Sequence, residues 1–96
     1  EDDGNSSIPY EYALRQNYPN PFNPSTKINF VLPEKSFVDL RVYNILGKEV
    51  ETLVLDEKPA GYHEVQFTAQ GLPSGVYLYK LKAGKFSETK KMLLVK

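Results

Sequence analysis

Most of this chain reads as a succession of short runs in which apolar and polar side chains alternate, each run closed by glycine, proline or asparagine. That two-residue period is the signature of β-strands with one buried and one solvated face. In Thr26–Leu32, Ile28, Phe30 and Leu32 share one face, with Lys27 and Asn29 opposite. In Phe37–Tyr43, Val38, Leu40 and Val42 oppose Asp39 and Arg41. Asn44-Ile-Leu-Gly47 suits a turn, with Asn at its first position and Gly free to take positive φ at its last. Glu49–Leu55 returns as the second arm of a hairpin. Lys58-Pro-Ala-Gly61 and Leu72-Pro-Ser-Gly75 read as two further turns of one design, each with Pro at the second position. Between them, Tyr62–Ala69 alternates His63, Val65 and Phe67 against Glu64, Gln66 and Thr68. Val76–Lys82 places Tyr77, Tyr79 and Leu81 on one face, and Ala83-Gly84 closes a hairpin into Lys85–Val95. No window shows helical periodicity. Counting a short first strand over Tyr10–Gln16, with Tyr10, Tyr12 and Leu14 on one side, about seven strands at roughly 8–12-residue spacing predict an all-β fold. The expected architecture is an immunoglobulin-like antiparallel β-sandwich, with Phe30, Leu40, Val65, Phe67 and Leu81 in its core.

The length of 96 residues supports one domain with a modest core. There is no cysteine, so no disulfide framework, thiol nucleophile or thiolate metal site is available. No apolar run approaches the ~20 residues that span a bilayer as a helix, and no membrane insertion is expected. The first residues lack the basic and apolar regions of a signal peptide. The chain is then either cytoplasmic or a piece whose export signal lies on an upstream part. A formal net charge of zero argues against nucleic acid as a general partner.

Residues 1–11 carry Glu1, Asp2, Asp3 and Glu11 and no base, and read as a linker, leaving 12–96 as the folded domain. Asn5-Ser6-Ser7 formally matches a glycosylation acceptor. Asn17 to Ser25 holds three prolines in six residues, which forbids a helix and pushes the preceding residues to extended conformations. Tyr18 and Phe22 are the expected anchors of this rigid segment; a proline-rich ligand for another domain is the alternative.

Enzymatic chemistry finds little support. The one histidine, His63, sits at an alternating strand position, and no Ser/His/Asp set can be assembled around it. One histidine without cysteine leaves almost no scope for zinc. Asp2-Asp3 and Asp56-Glu57 are adjacent acids of the kind usually solvated, short of the convergent ligands calcium needs. No cofactor is expected. Tyr43, Tyr62 and whichever of Tyr77 and Tyr79 faced outward could stack on sugars if they formed an exposed row, which keeps open a carbohydrate- or protein-binding accessory module of a secreted hydrolase.

Charge is uneven. Six lysines and one glutamate lie between Lys80 and Lys96. Lysines on exposed strands guard against edge-to-edge pairing, and they equally suit recognition by an acidic surface.

Five segments occur in one order: Tyr18-Pro-Asn-Pro-Phe-Asn-Pro-Ser-Thr26, Val42-Tyr-Asn-Ile-Leu-Gly-Lys-Glu-Val50, Ala60-Gly-Tyr-His63, Leu72-Pro-Ser-Gly-Val-Tyr77 and Thr89-Lys-Lys-Met-Leu-Leu-Val-Lys96. Together they resemble the type A C-terminal sorting domain of the type IX (Por) secretion system of Bacteroidota and related phyla, over roughly Tyr12 to Lys96. The resemblance implies a non-enzymatic domain that directs a larger cargo, carried upstream in the same chain, across the outer membrane for surface attachment or release. It implies two partners, the outer-membrane translocon and a surface sortase-like peptidase that removes the domain. The cut would fall in the linker before about Tyr10. The family's motifs map onto Pro73, Gly75 and Tyr77, onto Gly84, and onto Lys90, Lys91 and Lys96.

Overall fold

The computed structural model describes residues 9–96. The acidic tail, the Asp2-Asp3 pair and the Asn5 acceptor lie outside the described residues, as does most of the expected linker. Among the described residues seven antiparallel strands run in order: β1 (Ala13–Leu14), β2 (Ser25–Leu32), β3 (Ser36–Asn44), β4 (Glu49–Lys58), β5 (Gly61–Thr68), β6 (Gly75–Ala83) and β7 (Phe86–Leu94). They form two sheets, β1-β2-β5 and β4-β3-β6-β7, with the apolar faces turned toward each other. The all-β sandwich expected from the alternation is the fold observed. The fourth strand lies beside the third, whereas in a constant-type immunoglobulin domain it joins the first, second and fifth. The tight Asn44–Lys48 connection explains this. The Asn44 carbonyl accepts from Gly47 N at 2.9 Å, and Asn44 N donates to the Lys48 carbonyl at 2.9 Å, so β4 can only fold back as a hairpin partner. Gly47 takes φ +85° at the position where the sequence called for it.

The core gathers Ile28, Phe30 and Leu32 from β2, Val38, Leu40 and Val42 from β3, Phe67 from β5, Tyr77, Tyr79 and Leu81 from β6, and Met92 and Leu94 from β7. Val65 departs from expectation: it packs against this cluster and is only partly buried. It lies on β5, an edge strand, where Phe22 covers Phe67 while Val65 stays partly open. The β3–β4 register shifts at Leu40/Arg41 and Val42/Tyr43. These bulges break strict alternation in β4, so that Val50, Leu53 and Val54 all pack against the core.

Three further expectations change. The first strand shrinks to Ala13–Leu14, and Tyr10 stands almost wholly in solvent. Tyr12 does pack inward, its ring stacked on Phe86 at 5.4 Å. Leu72–Gly75 is a bend into β6, and the hydrogen-bonded turn falls just before it, where Leu72 N donates to the Ala69 carbonyl and Gly71 takes φ +86°. In the proline-rich segment, Phe22 is the anchor, 1% exposed and edge-to-face with Phe67 at 6.0 Å, whereas Tyr18 is 80% exposed. Tyr18 is held by its backbone, which exchanges two hydrogen bonds with Lys27. The second buried residue of the segment is the polar Asn17.

Candidate functional site

The C-terminal strand β7 is an edge strand of the larger sheet, and edges present unpaired backbone groups. Here the N-terminal segment covers part of that edge. Gln16 Nε2 donates to the Lys91 carbonyl at 2.7 Å, and Asn20 Oδ1 accepts from Leu93 N at 2.9 Å. Phe22 N donates to the Leu93 carbonyl at 2.9 Å, while Val95 N donates to the Phe22 carbonyl at 3.0 Å, forming a parallel bridge. The segment from Tyr12 to Phe22 therefore runs alongside β7 from Phe86 to Val95 as a strap. Its rigidity comes from the prolines, and its grip from Phe22 and Asn17.

A second anchor joins strap and sheet. Tyr79 is fully buried on β6, and its hydroxyl donates to the Arg15 carbonyl at 2.7 Å while accepting from Asn17 N at 2.8 Å. Burial pushes its phenol up to about 12. The Asn17 side chain in turn donates to Thr26 Oγ1 at 2.9 Å and to the Pro19 carbonyl at 3.1 Å. The Tyr79 hydroxyl, the Asn17 side chain and the Thr26 hydroxyl of this buried knot all have partners, as burial demands.

The structure separates the candidate residues into two ends and a middle. Pro73, Gly75 and Tyr77 come together where β6 begins. Tyr77 is buried, and its hydroxyl donates to the Pro73 carbonyl at 2.7 Å, locking the bend. Gly75 pairs with Leu94, so this pole also holds the end of β7 and the exposed Lys96. Gly84 lies at the far end of the same hairpin, roughly 30 Å from Gly75 at the rise of an extended strand. It has φ +60° in a two-residue loop, and a Cβ there would meet Tyr12 Oη at 2.9 Å. Tyr12 Oη also lies 3.0 Å from Ser36 Oγ, so Gly84 leaves room for a side chain that joins the N-terminal segment to the start of β3. Lys90 and Lys91 sit mid-strand and, by the pleat, on opposite faces. Lys90 is half-buried on the inner side, with Nζ 3.3 Å from Glu88 Oε2. Lys91 is exposed on the outer face.

On that outer face, Arg41 bonds Asp39 at 2.7 Å and Glu49 at 3.0 Å. These hydrogen bonds raise the guanidinium further above its already high range. Glu49 is held below the usual carboxylate range, chiefly by the Thr52 hydroxyl and then by Arg41.

His63 is half-buried, its ring stacked on Phe30 at 5.1 Å and its Nε2 2.8 Å from the Pro59 carbonyl. Among the described residues no three His, Cys, Asp or Glu side chains come close enough together to hold a metal. Tyr62 is exposed on the outer face of the smaller sheet, and Tyr43 lies half-buried on the outer face of the larger one. Those two faces are opposite sides of the sandwich, so the two tyrosines form no common stacking row. What sequence reasoning missed was the strap: Gln16, Asn17 and Asn20 carry no pattern that announces partners more than sixty residues away.

Fold and surface together define a small β-sandwich module whose last strand is strapped along its edge, with Lys96 exposed just beyond it. Residues 16–96 match the family model described as the secretion system C-terminal sorting domain, and the chain belongs to that family. Its members are sorting signals for type IX cargo, not catalysts, so the domain directs export across the outer membrane to the cell surface or to release. A solved structure of PorZ, described as an essential bacterial surface component of the type-IX secretion system of Porphyromonas gingivalis, is similar over 97% of this chain, with TM-score 0.59 and 18% identity. At that identity the likeness is one of fold, and it covers 12% of the PorZ chain. No curated protein sequence matches this chain.

Proposed function

We propose that residues 12–96 are the unit recognised by the outer-membrane type IX translocon, and that residues 1–11 link it to cargo carried in the same chain. A surface sortase-like peptidase then cuts in the linker, before about Tyr10. The observation that carries this reading is the family match over 16–96, combined with a last strand pinned at its end, Leu94 to Gly75 and Val95 to Phe22, with Lys96 exposed beyond it. Pro73, Gly75 and Tyr77 set the geometry of one pole, and Gly84 sets the other. Lys91 and Lys96 present the charge; Lys90 contributes less because Glu88 faces it. Lysine is a mobile point charge suited to steering toward an acidic receptor.

A cargo fusion bearing this domain tests the reading. Deleting Met92–Lys96 should leave cargo in the periplasm, and unchanged surface delivery would sink the proposal. Met92 and Leu94 are core residues, so Lys91→Glu with Lys96→Glu serves as the companion that spares the core. Its expected result is reduced delivery with an unaltered thermal midpoint.

A further inference from the structure

The Asn44–Lys48 turn displays Ile45 at 69% and Leu46 at 88% exposure. Turn tips ordinarily carry residues that water solvates well. The turn does not need these two side chains, because Asn44 shapes it: Oδ1 accepts from Leu46 N at 2.9 Å and from Lys48 N at 3.0 Å. Two large aliphatic groups are thus held out on a rigid support. They are not isolated. Ile45, Leu46, Pro73 and Val76 line a cleft of about 300 Å³. Val76 is shared with a second cleft, lined also by Leu93 and Lys91. Val76 and Leu93 are cross-strand partners, both partly exposed on the outer face. The next cross-strand pair on β3 and β6, Tyr43 and Leu78, continues the apolar surface.

The rim of this surface is basic. Lys48, Lys91 and Lys96 are exposed, and among the described residues none of them makes an ion pair. The nearby acid Glu49 is already engaged by Arg41 and Thr52. Apolar centre and unpaired cationic rim together describe a binding face.

We infer that the pole formed by Ile45, Leu46, Pro73, Val76 and Leu93 is the docking face for a protein surface that offers an apolar recess edged by carboxylates. This deepens the sorting reading and rests on it. The aliphatic groups supply the desolvated centre, and the lysines orient the encounter. Because the turn is pre-shaped, little ordering is needed on binding.

The test uses cargo fusions delivered in a type IX-competent cell. Ile45→Ser with Leu46→Ser should lower surface cargo about tenfold or more, the scale of a lost interface anchor. The purified domain should keep its thermal midpoint within about 2 °C, since neither side chain is in the core. Leu46→Ser alone is the fallback should the pair disturb folding, and it should lower delivery in the same direction. Lys48→Glu should also lower delivery, while Lys85→Glu at the far pole should not. If the serine variants deliver normally while the Met92–Lys96 deletion blocks export, the docking face is wrong and the sorting reading stands. If the deletion too delivers normally, both fall. A concentration-dependent dimer abolished by the serine pair would make the occupant a second copy and overturn the inference. Binding to phosphatidylglycerol vesicles lost in the same variants would make it a lipid surface and overturn it equally.

Discussion

The hydroxyl of Tyr79 lies 2.8 Å from the backbone nitrogen of Asn17, sixty-two positions earlier in the chain, and this contact fastens the strap to the sheet. Tyr79→Phe should cost about 1–3 kcal/mol in chemical denaturation, because it leaves a buried N–H and the Arg15 carbonyl without their partner. Loss below about 0.5 kcal/mol would show that water replaces the phenol.

The same residue predicts a pH dependence. An unfolded tyrosine ionises near about 10, whereas burial pushes Tyr79 up to about 12. Between those values the unfolded chain has released a proton that the native state retains, so stability falls as pH rises. The contribution is complete below about pH 10 and gone above about pH 12. The slope of thermal midpoint against pH in that window should be shallower for Tyr79→Phe than for the parent. Equal slopes would contradict the assignment.

Phe22 and Tyr18 stand four residues apart and should behave oppositely. Phe22→Ala removes a buried ring packed on Phe67 and should cost about 3–5 kcal/mol. Tyr18→Ala should stay within about 0.5 kcal/mol, as expected of an exposed surface position. Comparable losses would mean that the strap is not anchored through Phe22.

Gly84 and Tyr12 should couple. Gly84→Ala strains a positive-φ position and places a methyl 2.9 Å from Tyr12 Oη. Tyr12→Phe removes that oxygen, so in a double-mutant cycle the second substitution should recover part of the loss, by about 0.5 kcal/mol or more. Strict additivity would show that the backbone strain alone is responsible.

On β5, Phe67→Ala should destabilise by about 3–5 kcal/mol. Val65→Ala, at the partly buried edge position, should fall well short of that. A shared value for the two would put the core boundary in the wrong place.

Much of this fold was written in local pattern. Alternation in β2, β3, β5 and β6 assigned the inward faces of Phe30, Leu40, Phe67, Tyr77, Tyr79 and Leu81, because side chains on a strand must alternate whatever the strand pairs with. The Asn44–Gly47 turn was legible for a similar reason: its hydrogen bonds and its positive φ are closed within five residues. The motif order likewise pointed to the family without reference to coordinates.

Other features depend on which distant segments meet. Alternation placed Val65 inward but could not show that β5 would be an edge strand. Composition named Tyr18 and Phe22 as equal anchors, and only packing against Phe67 distinguished them. The resemblance grouped Lys90 with Lys91 and Lys96, yet the pleat sends Lys90 and Lys91 to opposite faces and Glu88 pairs with Lys90. The strap along β7 and the apolar pole around Ile45 and Leu46 join residues about thirty to seventy-five positions apart. Sequence by itself determined most of the strands, the inward faces of β2, β3, β5 and β6, and the family, since these follow from local periodicity, local turns and motif order. Tertiary structure alone decided which edge is covered, which lysines remain unpaired and which aliphatic groups stay in water, since each depends on contacts between segments far apart in the chain.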